Sequence, residues 1–186
     1  MAGFVYVDNS NVFIDGQRVA AVENGLAVDI DDAINGQIFD RSYHLDFGKL
    51  YRFVANNGCK VKRAVLFGSR PPQNDSLWAV AEPGGVEVVV GNRSAANREK
   101  RMATWIVTAM CDDAFAKRAD KANDTLILVA GGSDYVPAVA PLVEMGFTVN
   151  VVFWEHASQE LQDACSNFIP MNPHFASLSR ENVQVG

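Results

Sequence analysis

The sequence has few of the features that mark membrane, secreted or zinc-stabilised proteins. Its 186 residues include only three cysteines, Cys59, Cys111 and Cys165, which are widely spaced and form no Cys-x-x-Cys pair. A disulfide framework or a structural zinc site is therefore not expected. No apolar stretch approaches the roughly 18 residues that a membrane span needs, and no charged segment precedes an apolar run at the N-terminus. We expect a soluble, cytoplasmic protein with no membrane partner.

Positive charge is also scarce, and this limits the function classes. Lys and Arg number 16 against 22 Asp and Glu, which gives a net charge of −6. That balance argues mildly against non-specific binding to nucleic acid, although a local basic cluster could still provide it. One such cluster consists of Arg93, Arg98, Lys100 and Arg101, with Glu99 as its single acid. It predicts either phosphate contacts or a plain solvated surface, and the sequence leaves both open.

Two common catalytic signatures are missing from the sequence. No Ser-His-Asp nucleophile arrangement is visible, and no phosphate-binding loop carries the lysine and Ser/Thr of a kinase or ATPase. The three histidines, His44, His156 and His174, lie far apart without metal-ligand spacing. His156 follows a predicted strand and could overlook a site at its end, but a surface position is the favoured interpretation.

What the chain does contain is a regular alternation of predicted strands and helices. Short apolar runs predict strands at residues 4–7, 61–67, 86–90, 125–129 and 147–153, with an edge strand at 168–171. The intervening patterns predict helices at residues 47–56, 76–81, 97–117, 135–145 and 158–164. Residues 16–46 mix apolar and acidic residues and are expected to be part helix and part long insertion. The tail from Asn172 is expected to fray.

This alternation predicts an α/β fold, in which helices flank a mostly parallel central sheet and the crossovers are right-handed. A doubly wound strand order of 3-2-1-4-5 places the first and fourth strands side by side. A chain of this length is most simply one domain, which we place at residues 1–171 with a tail at 172–186. On the longest predicted helix, Trp105, Met110 and Phe115 are expected in the core, and Asp112 and Asp113 are expected to face solvent.

Two acidic residues follow the strands that this order makes neighbours. Asp8 comes directly after the first apolar run, and Asp134 comes shortly after the fourth. Ligand sites in open parallel sheets form at the carboxyl ends of strands where the strand order reverses, so the two carboxylates are expected to converge on one crevice. Converging carboxylates suit a hard divalent cation, and such a cation commonly handles phosphates. The sequence therefore predicts a cation and phosphate site at this edge of the sheet.

The residues around these acids resemble the motifs of a known family. VDNSN at residues 7–11, the basic start of the long helix and GGSDYVP at residues 131–137 are similar to the NYN domain of the PIN-like nuclease superfamily. The resemblance extends from about Phe4 to Met171 and implies a PIN-like three-layer fold. It also implies a ribonuclease in which Mg²⁺ or Mn²⁺ activates water for attack on an RNA phosphodiester, with single-stranded RNA as the partner.

The resemblance also assigns expected roles to individual residues. It makes Asp8 and Asp134 the metal ligands and, together with Asn11, the catalytic residues. The expected RNA-binding residues are Arg93, Arg98, Lys100, Arg101 and Ser133. The chain departs from the family pattern at Ala103 and Ala109 on the long helix and at Gly132, where the family carries acids. We therefore expect weak cleavage, and the alternative is a catalytically inactive RNA-binding or protein-scaffolding module.

Simpler roles exist for the same residues. Asp8 could act only as a helix cap, and Asp134 could be a first-turn acid favoured by the helix dipole. Asn11 could sit in a turn that needs no ligand. Gly131 and Gly132 could provide only turn conformations, or they could let a phosphate approach the backbone. The sequence also leaves a homo-oligomer or a protein partner open.

Overall fold

The computed structural model describes residues 2–55, 60–70, 87–92, 98–116 and 118–180, apart from the side chains at 69–70, 90–92 and 98–101. The predicted helix at residues 76–81 and the predicted RNA-binding residue Arg93 lie outside the described residues. The side chains of Arg98, Lys100 and Arg101 also lie outside them, although the backbone at these positions is described.

The described residues form a six-stranded sheet in which every strand pair is parallel. The strands are β1 (Ala2–Asp8), β2 (Lys60–Arg70), β3 (Glu87–Asn92), β4 (Asp124–Val129), β5 (Thr148–Phe153) and β6 (Asn167–Pro170). Their spatial order is β3-β2-β1-β4-β5-β6, so the predicted order is confirmed and the predicted edge strand is β6.

Helices cover both faces of the sheet, as the predicted three-layer fold requires. They are α1 (Asn9–Glu23), α2 (Ile30–Asn35), α3 (Phe47–Ala55), α4 (Arg98–Phe115), α5 (Val136–Glu144), α6 (Gln159–Ala164) and α7 (Phe175–Leu178). Short 3-10 turns at Ser133–Tyr135 and Asn172–His174 precede α5 and α7. Among the described helices, none has the length and apolar content to cross a membrane.

The core is divided into two layers by the alternation of side chains along the strands. On β1, Val5 and Val7 pack with residues of α1, α3 and α7, whereas Phe4 and Tyr6 pack with residues of α4, α5 and α6. Because both faces are covered, the central strands need apolar residues at successive positions rather than at alternate ones. The unbroken apolar run that marked this strand in the sequence follows from that arrangement.

The segment between β1 and α3 is part helix and part irregular, as expected for residues 16–46. Helix α1 begins immediately after β1, and its Gly16 allows a close approach to two rings. A Cβ at Gly16 would lie 3.0 Å from Tyr43 Cε1 and 3.1 Å from Trp154 Cζ2. The remainder of the segment contains α2, whose Ala33 joins a small cluster with Ala21 and Ala27 beside the main core.

The expectation of a fraying tail from Asn172 is wrong as far as Arg180. The Phe175 ring stacks on Tyr43 with centroids 4.7 Å apart, and Leu178 is only 2% exposed. Ser179 also forms a β-bridge with Leu45. Apolar side chains therefore tie this segment to the α1 side of the core.

Two expectations for the long helix α4 are also wrong. Trp105 and Phe115 are exposed rather than in the core, whereas Met110 is fully buried as expected. Asp113 is fully buried instead of facing solvent. Its carboxylate accepts hydrogen bonds from Tyr6, Arg63 and Arg118, which compensate its removal from water.

Candidate functional site

The predicted acids lie at the ends of neighbouring strands. β1 ends at Asp8 and pairs in parallel with β4, which ends at Val129. The turn that carries Asp134 follows β4 after a few residues. The carboxyl ends of parallel strands share one edge of the sheet, so Asp8 and this turn belong to the same edge. We call this region the carboxyl edge.

Asp8 is held by hydrogen bonds to both of its carboxylate oxygens. Its Oδ1 accepts the backbone N–H of Asn11 at 3.2 Å, which caps the N-terminus of α1. Its Oδ2 accepts the hydroxyl of Tyr135 at 2.7 Å. Asp8 is therefore a helix cap, as the simpler interpretation holds, and it is also bound to the turn after β4. Only 8% of the residue is exposed.

Asn11 makes the opposite connection between the same two segments. Its Oδ1 accepts the backbone N–H of Gly131 at 2.8 Å, and its Nδ2 donates to Asp15 at 3.1 Å. The start of α1 and the turn after β4 are thus joined by two bonds of opposite direction, Tyr135 to Asp8 and Gly131 to Asn11. We call this pair the reciprocal link. It gives Asn11 a defined structural role.

Tyr135 was missed by sequence reasoning, although it lies within the second motif. It is 3% exposed, and the pKa of its hydroxyl is raised by burial and by the negative charges of Asp8 and Asp134. Tyr135 therefore joins Asp8 to the turn that carries Asp134. Asp134 itself is exposed, as is Ser133 beside it. The signal in the sequence was an aromatic residue with a hydroxyl next to the second acid.

The two glycines of the motif differ in what they require. A Cβ at Gly131 would lie 2.1 Å from the Phe153 ring, so no other residue fits there without displacing that ring. Gly132 has φ −81° and ψ 149°, an extended conformation open to any residue. A Cβ at Gly132 would meet only Tyr135 Cε2, at 4.0 Å. Close packing explains Gly131, whereas neither packing nor conformation requires glycine at position 132.

A second group of polar residues adjoins Asn11. Asp15 accepts from Arg18 at 2.6 Å as well as from Asn11. His156 Nε2 lies 3.5 Å from Asp15 Oδ1, which is within ion-pair range. The geometry of this contact is not that of a hydrogen bond, so the buried nitrogen has no hydrogen-bond partner among the described residues. The expected surface position of His156 is wrong, since its side chain is only 14% exposed. It lies beside the carboxyl edge because β5 ends at Phe153, next to Gly131.

Two of the three positions where the resemblance leads us to expect acids, Ala103 and Ala109, lie on the same face of the sheet as Tyr135. Ala103 is 8% exposed and belongs to the core layer that contains Tyr135. Ala109 is half-buried against the same layer. Helix α4 packs against the Ser133–Tyr135 turn. Its first turn contains Arg98, Lys100 and Arg101, and it is the next described element after β3, whose last residue lies at the carboxyl edge.

The donors at this edge fit only a cation that takes most of its ligands from elsewhere. In the described part of the chain, no three His, Cys, Asp or Glu side chains are grouped as a metal site. Asp8 and Asp134 offer two carboxylates. Mg²⁺ commonly keeps several waters and binds one or two carboxylates together with substrate phosphates. Two carboxylates at one edge are chemically suited to that mode of binding.

Comparisons with known proteins give a family and a fold. The sequence matches the model of the NYN domain family over residues 9–172. The crystal structure of VPA0982, a protein of unknown function from Vibrio parahaemolyticus RIMD 2210633, matches with a TM-score of 0.64 and 19% sequence identity, over 91% of this chain and 92% of that chain. At this identity the likeness shows a shared fold alone. No curated protein matches the sequence.

Proposed function

The chain belongs to the NYN domain family, and we propose that it binds single-stranded RNA at the carboxyl edge and cleaves it weakly with Mg²⁺ or Mn²⁺. Domains of this family generally bind RNA and generally depend on divalent metal. The observation that carries the proposal is that Asp8 ends β1, that Asp134 follows the adjacent β4, and that Asp8 is hydrogen-bonded to Tyr135, the residue next to Asp134.

Asp8 and Asp134 are the residues that would hold the cation. It would supply a lowered pKa for an attacking water and neutralisation of charge on the phosphodiester. Lys100 and Arg101, in the first turn of α4, would bind backbone phosphates of the RNA. The exposed hydroxyl of Ser133 would donate a hydrogen bond to a phosphate oxygen. Asn11 would act indirectly, by fixing Gly131 and hence the turn that carries Asp134.

Weak rather than efficient cleavage follows from the departures from the family pattern. Ala103, Ala109 and Gly132 remove carboxylates that would fix the cation and its water in one geometry. Positioning of that kind is the main contribution of a protein to metal-assisted hydrolysis. With two carboxylates, the cation depends on RNA phosphate oxygens for its position, so affinity for metal alone should be low.

A non-catalytic RNA-binding module is the second candidate. Its support is the engagement of Asp8, which is nearly buried and already bonded to the Asn11 amide and the Tyr135 hydroxyl. A carboxylate used in this way has a complete structural explanation as a cap and as part of the reciprocal link. In this case the protein would bind RNA through its basic residues without hydrolysing it.

Cleavage of a short fluorescent single-stranded RNA, under single-turnover conditions, separates the two candidates. We expect slow cleavage in Mn²⁺ that EDTA abolishes and that Asp134→Asn reduces. Asp112→Asn is the matched control, since it removes the same charge from an exposed acid that lies more than two turns beyond Ala103 on α4. RNA binding without cleavage at any Mn²⁺ concentration would favour the second candidate, and no RNA binding would contradict both.

A further inference from the structure

Tyr135 combines a fixed ring with a hydroxyl that is aimed at a proposed metal ligand. The residue is 3% exposed and packs in the core layer that α4 covers. Its hydroxyl donates to Asp8 Oδ2 at 2.7 Å in a buried hydrogen bond. The ring has little freedom to move, so the hydroxyl defines one position in space for that carboxylate oxygen.

The other oxygen of Asp8 is fixed by a different element. Asp8 Oδ1 accepts the Asn11 amide at the start of α1, whereas Tyr135 belongs to the turn after β4. A carboxylate with one oxygen on each element cannot rotate without breaking a hydrogen bond. The orientation of Asp8 therefore depends on the turn that also carries Asp134.

The hydroxyl, rather than the ring, provides this control. A phenylalanine at position 135 would fill nearly the same volume and would keep the packing in the core. It would lose only the oxygen that reaches Asp8. Partners that hydrogen-bond to a ligating carboxylate orient it, and their loss commonly costs about 10–100-fold in metal affinity.

We propose that Tyr135 is a positioning residue for the divalent cation, acting by setting the orientation of the Asp8 carboxylate. The proposal rests on the proposed metal-dependent function. It also couples the two ligands, because Tyr135 is the sequence neighbour of Asp134 and is bonded to Asp8. A competing interpretation makes the opposite prediction: if the hydroxyl shields Asp8 from the cation, its removal should strengthen binding.

The test compares two variants that each remove one buried tyrosine hydroxyl. Tyr135→Phe removes the hydroxyl bonded to Asp8. Tyr6→Phe removes a hydroxyl that donates to the buried Asp113, also at 2.7 Å. The two changes delete the same atom from similar bonds, so a general loss of stability should be similar in both. Binding of Mn²⁺ alone is measured by calorimetry and by water proton relaxation, and Tm is recorded for each variant.

We expect Tyr135→Phe to bind Mn²⁺ about tenfold more weakly than the parent, and Tyr6→Phe to bind Mn²⁺ with parent affinity while its Tm also falls. Unchanged or tighter binding by Tyr135→Phe would overturn the proposal, and an equal loss in Tyr6→Phe would do the same. Asp8→Asn distinguishes the two levels of failure. If the parent binds no Mn²⁺ at millimolar concentrations of the metal, or if Asp8→Asn binds it equally well, the proposed metal role of Asp8 is wrong and the role of Tyr135 falls with it.

Discussion

Gly132→Asp should create a third carboxylate at the carboxyl edge without damage to the fold. The backbone at Gly132 is extended, with φ −81° and ψ 149°, so an L-residue causes no strain there. The nearest atom to an added Cβ is Tyr135 Cε2, at 4.0 Å, which is ordinary contact. Since that ring carries the hydroxyl bonded to Asp8, the new side chain begins beside the proposed site.

The expected effect on stability without metal is small because two contributions oppose each other. Replacing a glycine in a conformation open to other residues restricts the unfolded chain and stabilises the fold by about 0.4–1 kcal/mol. Against this, a new carboxylate beside an existing one is repelled by about 1 kcal/mol, the energy of two like unit charges about 4 Å apart in water. The net change in the free energy of unfolding should therefore be close to zero.

Binding of Mn²⁺ should change much more than stability does. A cation that removes about 1 kcal/mol of repulsion gains about fivefold in affinity from that relief alone, since 1.4 kcal/mol corresponds to tenfold. Calorimetry with Mn²⁺ measures the gain, and urea denaturation checks the fold. Gly132→Asn is the matched control because it has the same shape without the charge. If Gly132→Asp bound Mn²⁺ no more tightly than Gly132→Asn, position 132 would not face the cation and the proposed site would be misplaced.

Three further changes test separate parts of the account. Asp8→Asn keeps a good helix cap but should weaken Mn²⁺ binding about tenfold, because a hard cation prefers a charged oxygen. If calorimetry gave equal affinity for Mn²⁺, Asp8 would have only a structural role. The double variant Lys100→Ala with Arg101→Ala should weaken single-stranded RNA binding uniformly across sequences and flatten its salt slope by about 0.7 per lost phosphate contact. Fluorescence anisotropy over a salt series measures this, and a parent slope would mean that these charges are only a solvated surface. Asp113→Ala should lower the free energy of unfolding by about 1–3 kcal/mol, because it removes the acceptor of the buried Tyr6 hydroxyl, whereas Arg63 keeps its ion pair with Glu87. A loss below about 1 kcal/mol in urea denaturation would contradict that reasoning.

The architecture was predictable because the central strands carry a strong local signal. The apolar runs of β1 and β4 reflect burial on both faces, and the helices between strands force parallel pairing. The adjacency of these two strands followed from the doubly wound order, and the structure has it. The segment from Asn172 was misjudged because Phe175 and Leu178 show their role only against Tyr43 and the core, which are distant in sequence.

The candidate site was less accessible to sequence reasoning, since its key contacts join distant residues. Tyr135 and Asp8 are 127 positions apart, and no local pattern reveals that their side chains meet. Asp113 was assigned to solvent for a similar reason, because its partners Tyr6 and Arg63 lie on the sheet. The sequence also could not distinguish Gly131, which the Phe153 ring requires, from Gly132, which could accept a side chain. The sequence shows where the motif residues lie along the chain but not how their side chains pack.

Anomalous scattering from Mn²⁺ in crystals would show whether Asp8 and Asp134 form one cation site. We expect the two carboxylates within about 10 Å of each other at the switch point of the sheet. We also expect a Mn²⁺ peak at about 2.2 Å from one oxygen of each, so that these two oxygens lie within about 4.4 Å, with phosphate oxygens or water completing the shell when a short RNA is present. A Mn²⁺ peak bound to other residues, or carboxylates held too far apart to share one ion, would contradict the account.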